Sequence, residues 1–417
     1  MSSDLHEPSL PLGENPVEYD RLLRQVHQAT LFGGRAPARG RSLITQSWLR
    51  SRRAGLRPDN GCRRQTARQD AVVTTQRTSP AAPIAAVQRH IIALLNDLLP
   101  RVGGQSLDSG THLIVFTDAH GTILWRHGSP AAERRADAID FSVGAQWGEQ
   151  AVGTNAIGTA LAVRHPVQVH GAEHFLVSQH DWSCAAAPVT DPRSQSCAGV
   201  VNISCSVADA HPTMLTLVAL IARNITLELR DTHRRALGRL RELTEPMQHD
   251  KGAWLVTDRW GWVAASRPPV AEPRILLPAD PTAEHLWVPS MGAVQATAVP
   301  DGWLLEPVQA ASAPRSSSAL GRLIVTPTAA GAQAELTSTQ AHWRVEITPR
   351  QLSVLQAIHD APAGLSAAEL SQHIFGQPDH AVTVRAEISR IRRALGAVIV
   401  AAPYRFAPAL EVEVRDE

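Results

Sequence analysis

Residues 382–396 read VTVRAEISRIRRALG. At about 100° per residue, Val384, Ile388, Ile391 and Leu395 fall in one sector of a helix, while Arg385, Ser389, Arg392 and Arg393 gather on another. The first sector suits a protein core and the second a polyanion, and Gly396 stops the helix. Upstream, Thr348 before Pro349 supplies a cap and a first turn, which predicts a helix over 349–359 burying Leu352, Leu355 and Ile358. Ser366 followed by Glu369 makes a capping box for a helix to Phe375, ended by Gly376. Downstream, VIVAAPYRFAPALEVEV alternates into a hairpin that carries Arg405 toward an adjacent backbone. Arginines on a lone helix ordinarily mark a solvated face. Three helices and a hairpin around them favour DNA, where arginine donors reach guanine edges or phosphates in the major groove and serine contacts either.

At these residues the segment resembles the OmpR-type winged helix of response regulators, in which a phrase like TVRAEISRIRRALG forms the recognition helix and one like APYRF closes the wing. The resemblance covers some 60 residues and implies that Thr383, Arg385, Ser389, Arg390, Arg392 and Arg393 approach DNA, with Tyr404 and Arg405 in the wing. Glu387 stands where a histidine is common and Ala394 where a lysine is common, so base preference does not transfer.

A chain of 417 residues exceeds one ordinary core and fits two to four domains. Its 44% hydrophobic and 19% charged residues are those of a globular protein, and the apolar stretches are broken by Arg, His or Pro before they could span a membrane. MSSDLHEPSLPLGENP has neither a basic start nor an apolar stretch, so a cytoplasmic location is expected. Cys62, Cys184, Cys197 and Cys205 form no CxxC pair and read as reduced thiols. The single lysine, Lys251 in QHDKGAW, follows no Gly-rich loop, which excludes ATP hydrolysis of the P-loop kind. No cofactor is expected.

Toward the N-terminus, residues 1–16 read as polar and disordered, and helices are expected over 17–32, around Trp48 and over 84–99. THLIVFTDAHGTILWRHG reads as two strands about a turn at Asp118–Gly121, and PVQVHG, CAAAPV and AGVVNISC supply three more. This order predicts an antiparallel sheet with helices on one face and a concave pocket on the other. A helix from Pro212 to about Leu240 starts with an apolar stripe and ends charged on most faces, a pattern that suits pairing with a second copy as well as packing on its own sheet. Short strands with five tryptophans fill 252–326, QAASAPRSSSALG at 309–321 reads as an exposed loop, and TPTAAGAQAELTSTQ at 326–340 reads as a linker.

Residues 147–205 resemble the GAF domain of AcoR-type acetoin-catabolism activators in WGEQAVGTNAIGTAL, HPVQVHGAEHF and HDWSCAAAPVTDPRSQSCAGVVNIS, and SWLRSRRAGLRP matches an upstream segment of that group. Those activators continue into an ATPase domain. The resemblance implies an effector-sensing regulator joined to a different DNA-binding end. GTNAIGT lacks the spacing of a phosphate cradle. His170, Glu173 and His174, with His180 and Cys184 nearby, could be read as metal ligands, but a structural role within HGAEHF is the better reading and no metal is expected. Trp147, Asn155, His170, His174, Trp182 and Cys184 are the candidate effector-binding residues, because aromatic walls with a few polar groups suit a small organic molecule.

The chain is thus expected to be α+β and multi-domain: an N-terminal helical segment (1–83), a GAF-like antiparallel sheet with helices (84–240), a small β-rich domain (250–328) and a C-terminal winged helix-turn-helix (342–412). Double-stranded DNA, a small organic effector and a second copy of the chain are the expected partners, with RNA polymerase a further candidate and no membrane. No catalytic residue is expected. The competing readings are a thiol reductase using Cys184, Cys197 or Cys205, and a protein-interaction module without DNA contact.

Overall fold

The structure is a computed structural model. It describes residues 8–59, 85–98, 111–245, 252–270, 273–275, 277, 281, 286–288, 291–308, 321–328, 331–338, 342–396, 398–400, 403–408 and 410–415. Cys62, Lys251, the 309–320 loop and the Arg393 side chain lie outside them. The chain divides into two compact units, 1–231 and 232–417.

In the first unit, Asn15 caps helix α1 (Pro16–Phe32), with Pro16 at the start of its first turn. Helices α2 (Ser42–Arg53) and α3 (85–98) follow. The strands β1 (Leu113–Thr117), β2 (Ile123–Gly128), β3 (Val167–His170), β4 (Trp182–Thr190) and β5 (Cys197–Ser206) form an antiparallel sheet in the order β2-β1-β5-β4-β3. Between them lie α4 (Pro130–Asp137), α5 (Glu149–Val152) and α6 (Ala156–Val163). Helix α7 (Thr213–Thr244) starts in this unit and ends in the next.

Helices were expected on one face of this sheet, yet both faces are covered. Val87, Ile91 and Leu95 of α3 join Val218, Ile221 and Ile225 of α7 against one face. Leu43, Ile44 and Trp48 of α2, with Ile157 and Ala160 of α6, join the core on the other. The cause is local: LIVFT of β1 is buried at every position, and a strand apolar at successive residues needs cover on both sides.

In the second unit, β6 (Trp254–Asp258), β7 (Val263–Arg267), β8 (Leu286–Val288), β9 (Gly292–Val299) and β10 (Gly302–Pro307) form an antiparallel sheet in the order β7-β6-β10-β9-β8. Arg274 makes an isolated antiparallel bridge to Trp262, and GAVQATAV (292–299) is a strand that the sequence reading passed over. The stretch expected as a linker is a hairpin. Strands β11 (Gly321–Thr328) and β12 (Gly331–Ser338) pair antiparallel, and β13 (His342–Ile347) continues the sheet.

Helix α8 (Pro349–His359) is capped by Thr348 and Gln351, and α9 (Ala367–Phe375) by Ser366 and Glu369, both as full capping boxes. Helix α10 (Ala381–Leu395) follows. The tail makes a short ribbon, β14 (Ile399–Val400) with β15 (Arg405–Phe406). Strand β16 (Leu410–Val414) then leaves the ribbon and pairs parallel with β11.

Candidate functional site

Helix α10 is anchored by Val384, Ile388, Ile391 and Leu395, each no more than 1% exposed. Its outer side presents Arg385, Ser389 and Arg390, with Thr383 half-buried. Arg390 Nη1 donates to Glu387 Oε1 at 2.6 Å, so this cation shares its charge with a buried carboxylate on the same helix. Arg392 behaves differently. It is half-buried, its Nε donates to the Ile399 carbonyl at 2.9 Å, and its guanidinium lies 5.8 Å from the Tyr404 ring centroid. Burial holds it below the usual arginine pKa although Tyr404 opposes the shift. Tyr404 also exchanges backbone hydrogen bonds with Leu365, at 2.8 and 3.0 Å, and Arg405 beside it is exposed. Thus Arg385, Ser389, Arg390 and Arg405 face outward, and Arg392 with Tyr404 ties the helix to the ribbon.

The six candidate effector residues of the first unit are all buried. Trp147, Trp182 and Cys184 enter one core together with Phe141. Trp147 stacks obliquely on Phe141 at 4.2 Å and donates its Nε1 hydrogen to the Asp140 carbonyl at 3.2 Å. The Arg135 guanidinium sits 4.3 Å from the Trp182 ring. Cys184 Sγ accepts from Ser204 Oγ at 3.1 Å. The other three candidates serve the backbone. Asn155 caps α6, accepting from Gly158 N at 3.0 Å and donating to the Trp147 and Gly153 carbonyls at 3.1 and 2.8 Å. His170 Nε2 donates to the Pro16 carbonyl at 2.9 Å, and its Nδ1 meets Ser183 Oγ at 3.1 Å. His174 Nδ1 donates to the Gly171 carbonyl at 2.9 Å, and burial lowers its pKa to about 4.

Glu173, read from sequence as one possible metal ligand, is the centre of an ion-pair network. Arg41 reaches its two carboxylate oxygens at 2.7 and 2.8 Å, Ser9 Oγ donates to it, and His170 N donates at 3.0 Å. Burial alone would raise its pKa, but Arg41, Ser9 and His170 N together hold it below the usual carboxylate value. Sequence spacing gave no hint of Arg41, which lies far upstream. Among the described residues no group of three or more His, Cys, Asp or Glu is placed to hold a metal ion. Nor is any helix there long and apolar enough to cross a membrane.

The sequence reading did not single out Asn202 and Ser204. In AGVVNISC they alternate with Val201 and Ile203, so they share the face of Val200 and Cys184, while Val201, Ile203 and Cys205 enter the opposite core. Two polar residues at alternate positions of an otherwise apolar strand were the available signal.

Residues 21–226 match the family described as "MimR, N-terminal domain". Over 135 residues the chain is 42% identical to the acetoin dehydrogenase operon transcriptional activator AcoR of Bacillus subtilis, covering 32% of this chain and 21% of that protein. Parts of the chain are thus similar to parts of named transcriptional activators. The propane 2-monooxygenase operon transcriptional activator MimR of Mycolicibacterium smegmatis is 27% identical over 218 residues, covering 52% of this chain and 34% of MimR. A 47.3 kDa protein encoded in the thcA 5' region of Rhodococcus erythropolis is 27% identical over 413 residues, covering 97% of this chain and 73% of its own length. The chain therefore spans only 21% and 34% of the two named activators. These likenesses support a transcription regulator and agree with the AcoR-type resemblance in the sequence.

Proposed function

We propose that the chain is a DNA-binding transcription regulator in which a small organic effector, held by the GAF-like first unit, governs a winged helix at the C-terminus. The observation that carries the reading is the outward face of α10. Arg385, Ser389 and Arg390 stand exposed on a helix whose opposite side is buried, beside a ribbon that presents Arg405. Such a face can lie in a major groove while the ribbon meets the flanking backbone. The regulator works in the cytoplasm, without ATP hydrolysis, with RNA polymerase as a further partner.

A homodimer fits the same reading. Leu217, Leu220 and Leu227 of α7 are 46%, 57% and 48% exposed, with exposed Asn224 between them, a heptad-like stripe suited to a second copy. The effector binds one state of the sensory unit better than the other, and α7 carries that preference to the DNA-binding end.

Thiol chemistry gains nothing from the geometry. Burial pushes Cys184 up to about 12 and raises Cys197 and Cys205, whereas a nucleophilic thiol needs its pKa lowered. Genome-wide mapping of DNA bound by the full chain, beside an Arg385→Ala/Ser389→Ala variant, tests the proposal. Discrete sites lost in the variant support it, and an unchanged profile or none at all rejects it.

A further inference from the structure

The two five-stranded sheets have the same strand order, the second strand of each outermost, then the first, fifth, fourth and third. Their first hairpins agree residue by residue at an offset of 140 in numbering: Ile114 pairs with His127 and Trp254 with Arg267, Val115 with Arg126 and Leu255 with Ser266. Both registers slip at one place, between Phe116 and Thr117 and between Val256 and Thr257. Asp118 Oδ1 accepts from His120 N and Thr122 N at 2.8 Å, and Asp258 Oδ1 accepts from Trp260 N and Trp262 N at 2.9 Å. Gly121 and Gly261 turn at φ of 88° and 84°.

The agreement continues beyond the hairpins. The Gly121 carbonyl accepts from Trp147 N at 2.8 Å, and the Gly261 carbonyl from Ile275 N at 2.7 Å. On the neighbouring strand, a Cβ added at Gly199 would stand 2.0 Å from the Thr117 carbonyl oxygen, and one at Gly302 would stand 2.1 Å from that of Thr257. One backbone plan has been used twice, so positions paired in the first sheet can be matched to positions paired in the second.

The match exposes a difference. On one face, Val115, Ala186, Val169 and Trp147 correspond to Leu255, Ala296, Leu286 and Ile275, all apolar. On that same face Asn202, Ser204 and Cys184 correspond to Leu305, Pro307 and Val294. The first sheet thus holds a polar string where the second holds only hydrocarbon.

That string is unfinished. Asn202 Nδ2 donates to Ser204 Oγ at 2.8 Å, and Ser204 in turn donates to Cys184 Sγ at 3.1 Å. Asn202 is 1% exposed, and among the described residues none supplies a hydrogen bond to its Oδ1. Reversing the amide would merely leave the NH2 end in its place. A buried acceptor without a donor costs free energy, so its retention calls for a reason. Arg126, which faces the same side as Val115, is already engaged by Asp137 at 2.6 Å and by the Phe141 carbonyl at 3.0 Å.

We infer that strands β6 to β10 are a second copy of the sensory sheet with its reading positions filled by hydrocarbon, and that Asn202, held by Ser204 and Cys184, is where the first copy reads a small neutral molecule through a hydrogen bond that the molecule donates. This rests on the sensory reading proposed above and specifies its chemistry. Burial keeps the Cys184 thiol neutral, and Arg126 on the same face is already paired with Asp137, so a neutral molecule is favoured over an ion. Leu305 supplies the informative substitution, because the same backbone plan accommodates leucine at that place.

The test follows the thermal midpoint of the full chain with 2-butanol, which donates, and with butanone, which only accepts, each at matched tens of millimolar. The wild type is expected to gain stability with 2-butanol and about tenfold less responsively with butanone. Asn202→Leu is expected to melt higher without additive and to respond to the two alike. Should that variant fold poorly, Asn202→Ala is compared in the same way. An Asn202 variant that keeps the alcohol preference overturns the inference and leaves the sensory reading standing. A wild type that responds to neither compound overturns both.

Discussion

Arg392 donates its Nε hydrogen to the carbonyl of Ile399 at 2.9 Å, fastening the third helix of the C-terminal segment to the ribbon that follows it. Its guanidinium therefore orients α10 relative to the ribbon. Arg392→Ala should cost about 1–2 kcal/mol of stability in chemical denaturation, as expected for a half-buried charged hydrogen bond. DNA affinity should fall while the salt dependence of binding keeps its slope. A slope lowered by about one would instead place Arg392 on a phosphate.

Arg385 makes the opposite case. It is exposed on the outer side of α10, so Arg385→Ala should leave the melting midpoint within experimental scatter. Titrations at several salt concentrations should show weaker DNA binding and a slope reduced by about one if the side chain meets a phosphate. Loss of sequence preference with the slope unchanged would point to a base edge.

Acid should unfold the first unit early. Burial lowers His174 to about 4 and His180 to about 3, the latter with help from His27, His174 and Arg24, and His27 is lowered as well. The ordinary histidine value is about 6.5. Between that value and the folded one the unfolded chain binds more protons. The stability contributed by these neutral rings is therefore complete above about 6.5 and is lost as pH falls toward 4 and below. His174 and His180 each account for an amount on the order of a few kcal/mol. Melts from pH 7 to 4 should show a steep decline that His174→Gln makes shallower, and an identical decline in that variant would contradict this account.

Glu173 and Arg41 should prove mutually dependent. Arg41→Met leaves a buried carboxylate without its cation and should cost about 3–5 kcal/mol. Arg41→Met combined with Glu173→Gln should recover part of that loss. A double-mutant cycle in urea measures it, and additive losses would deny the coupling.

The parts of this fold legible in the sequence are those set by neighbouring residues. Thr348 with Gln351, Ser366 with Glu369, and the glycines at 376 and 396 fix the three C-terminal helices to within about a residue, because a cap is a local hydrogen bond. Strand 331–338 was hidden. GAQAELTS carries little apolar bulk, and its inward side chains Ala332, Ala334 and Leu336 become a core only between β11 and β13. In α10, the same wheel that singled out the arginines puts Arg392 about 70° from the centre of the apolar sector, on its margin. Membership of the cationic side was therefore an incomplete guide to direction. The repeated sheet had a visible trace in FTDAHG and VTDRWG, yet only register shows that Asn202 and Leu305 occupy one place.

The parallel pairing of β16 with β11 has a practical consequence for anyone isolating the C-terminal segment. Composition invites a cut near residue 342, since the preceding stretch looks expendable. A fragment beginning there would lose the two strands that β13 and β16 lean on, baring unpaired edges that recruit neighbouring molecules. A well-behaved recombinant piece has to begin ahead of Gly321, and failure of a shorter one to stay in solution would say nothing about whether it can hold DNA.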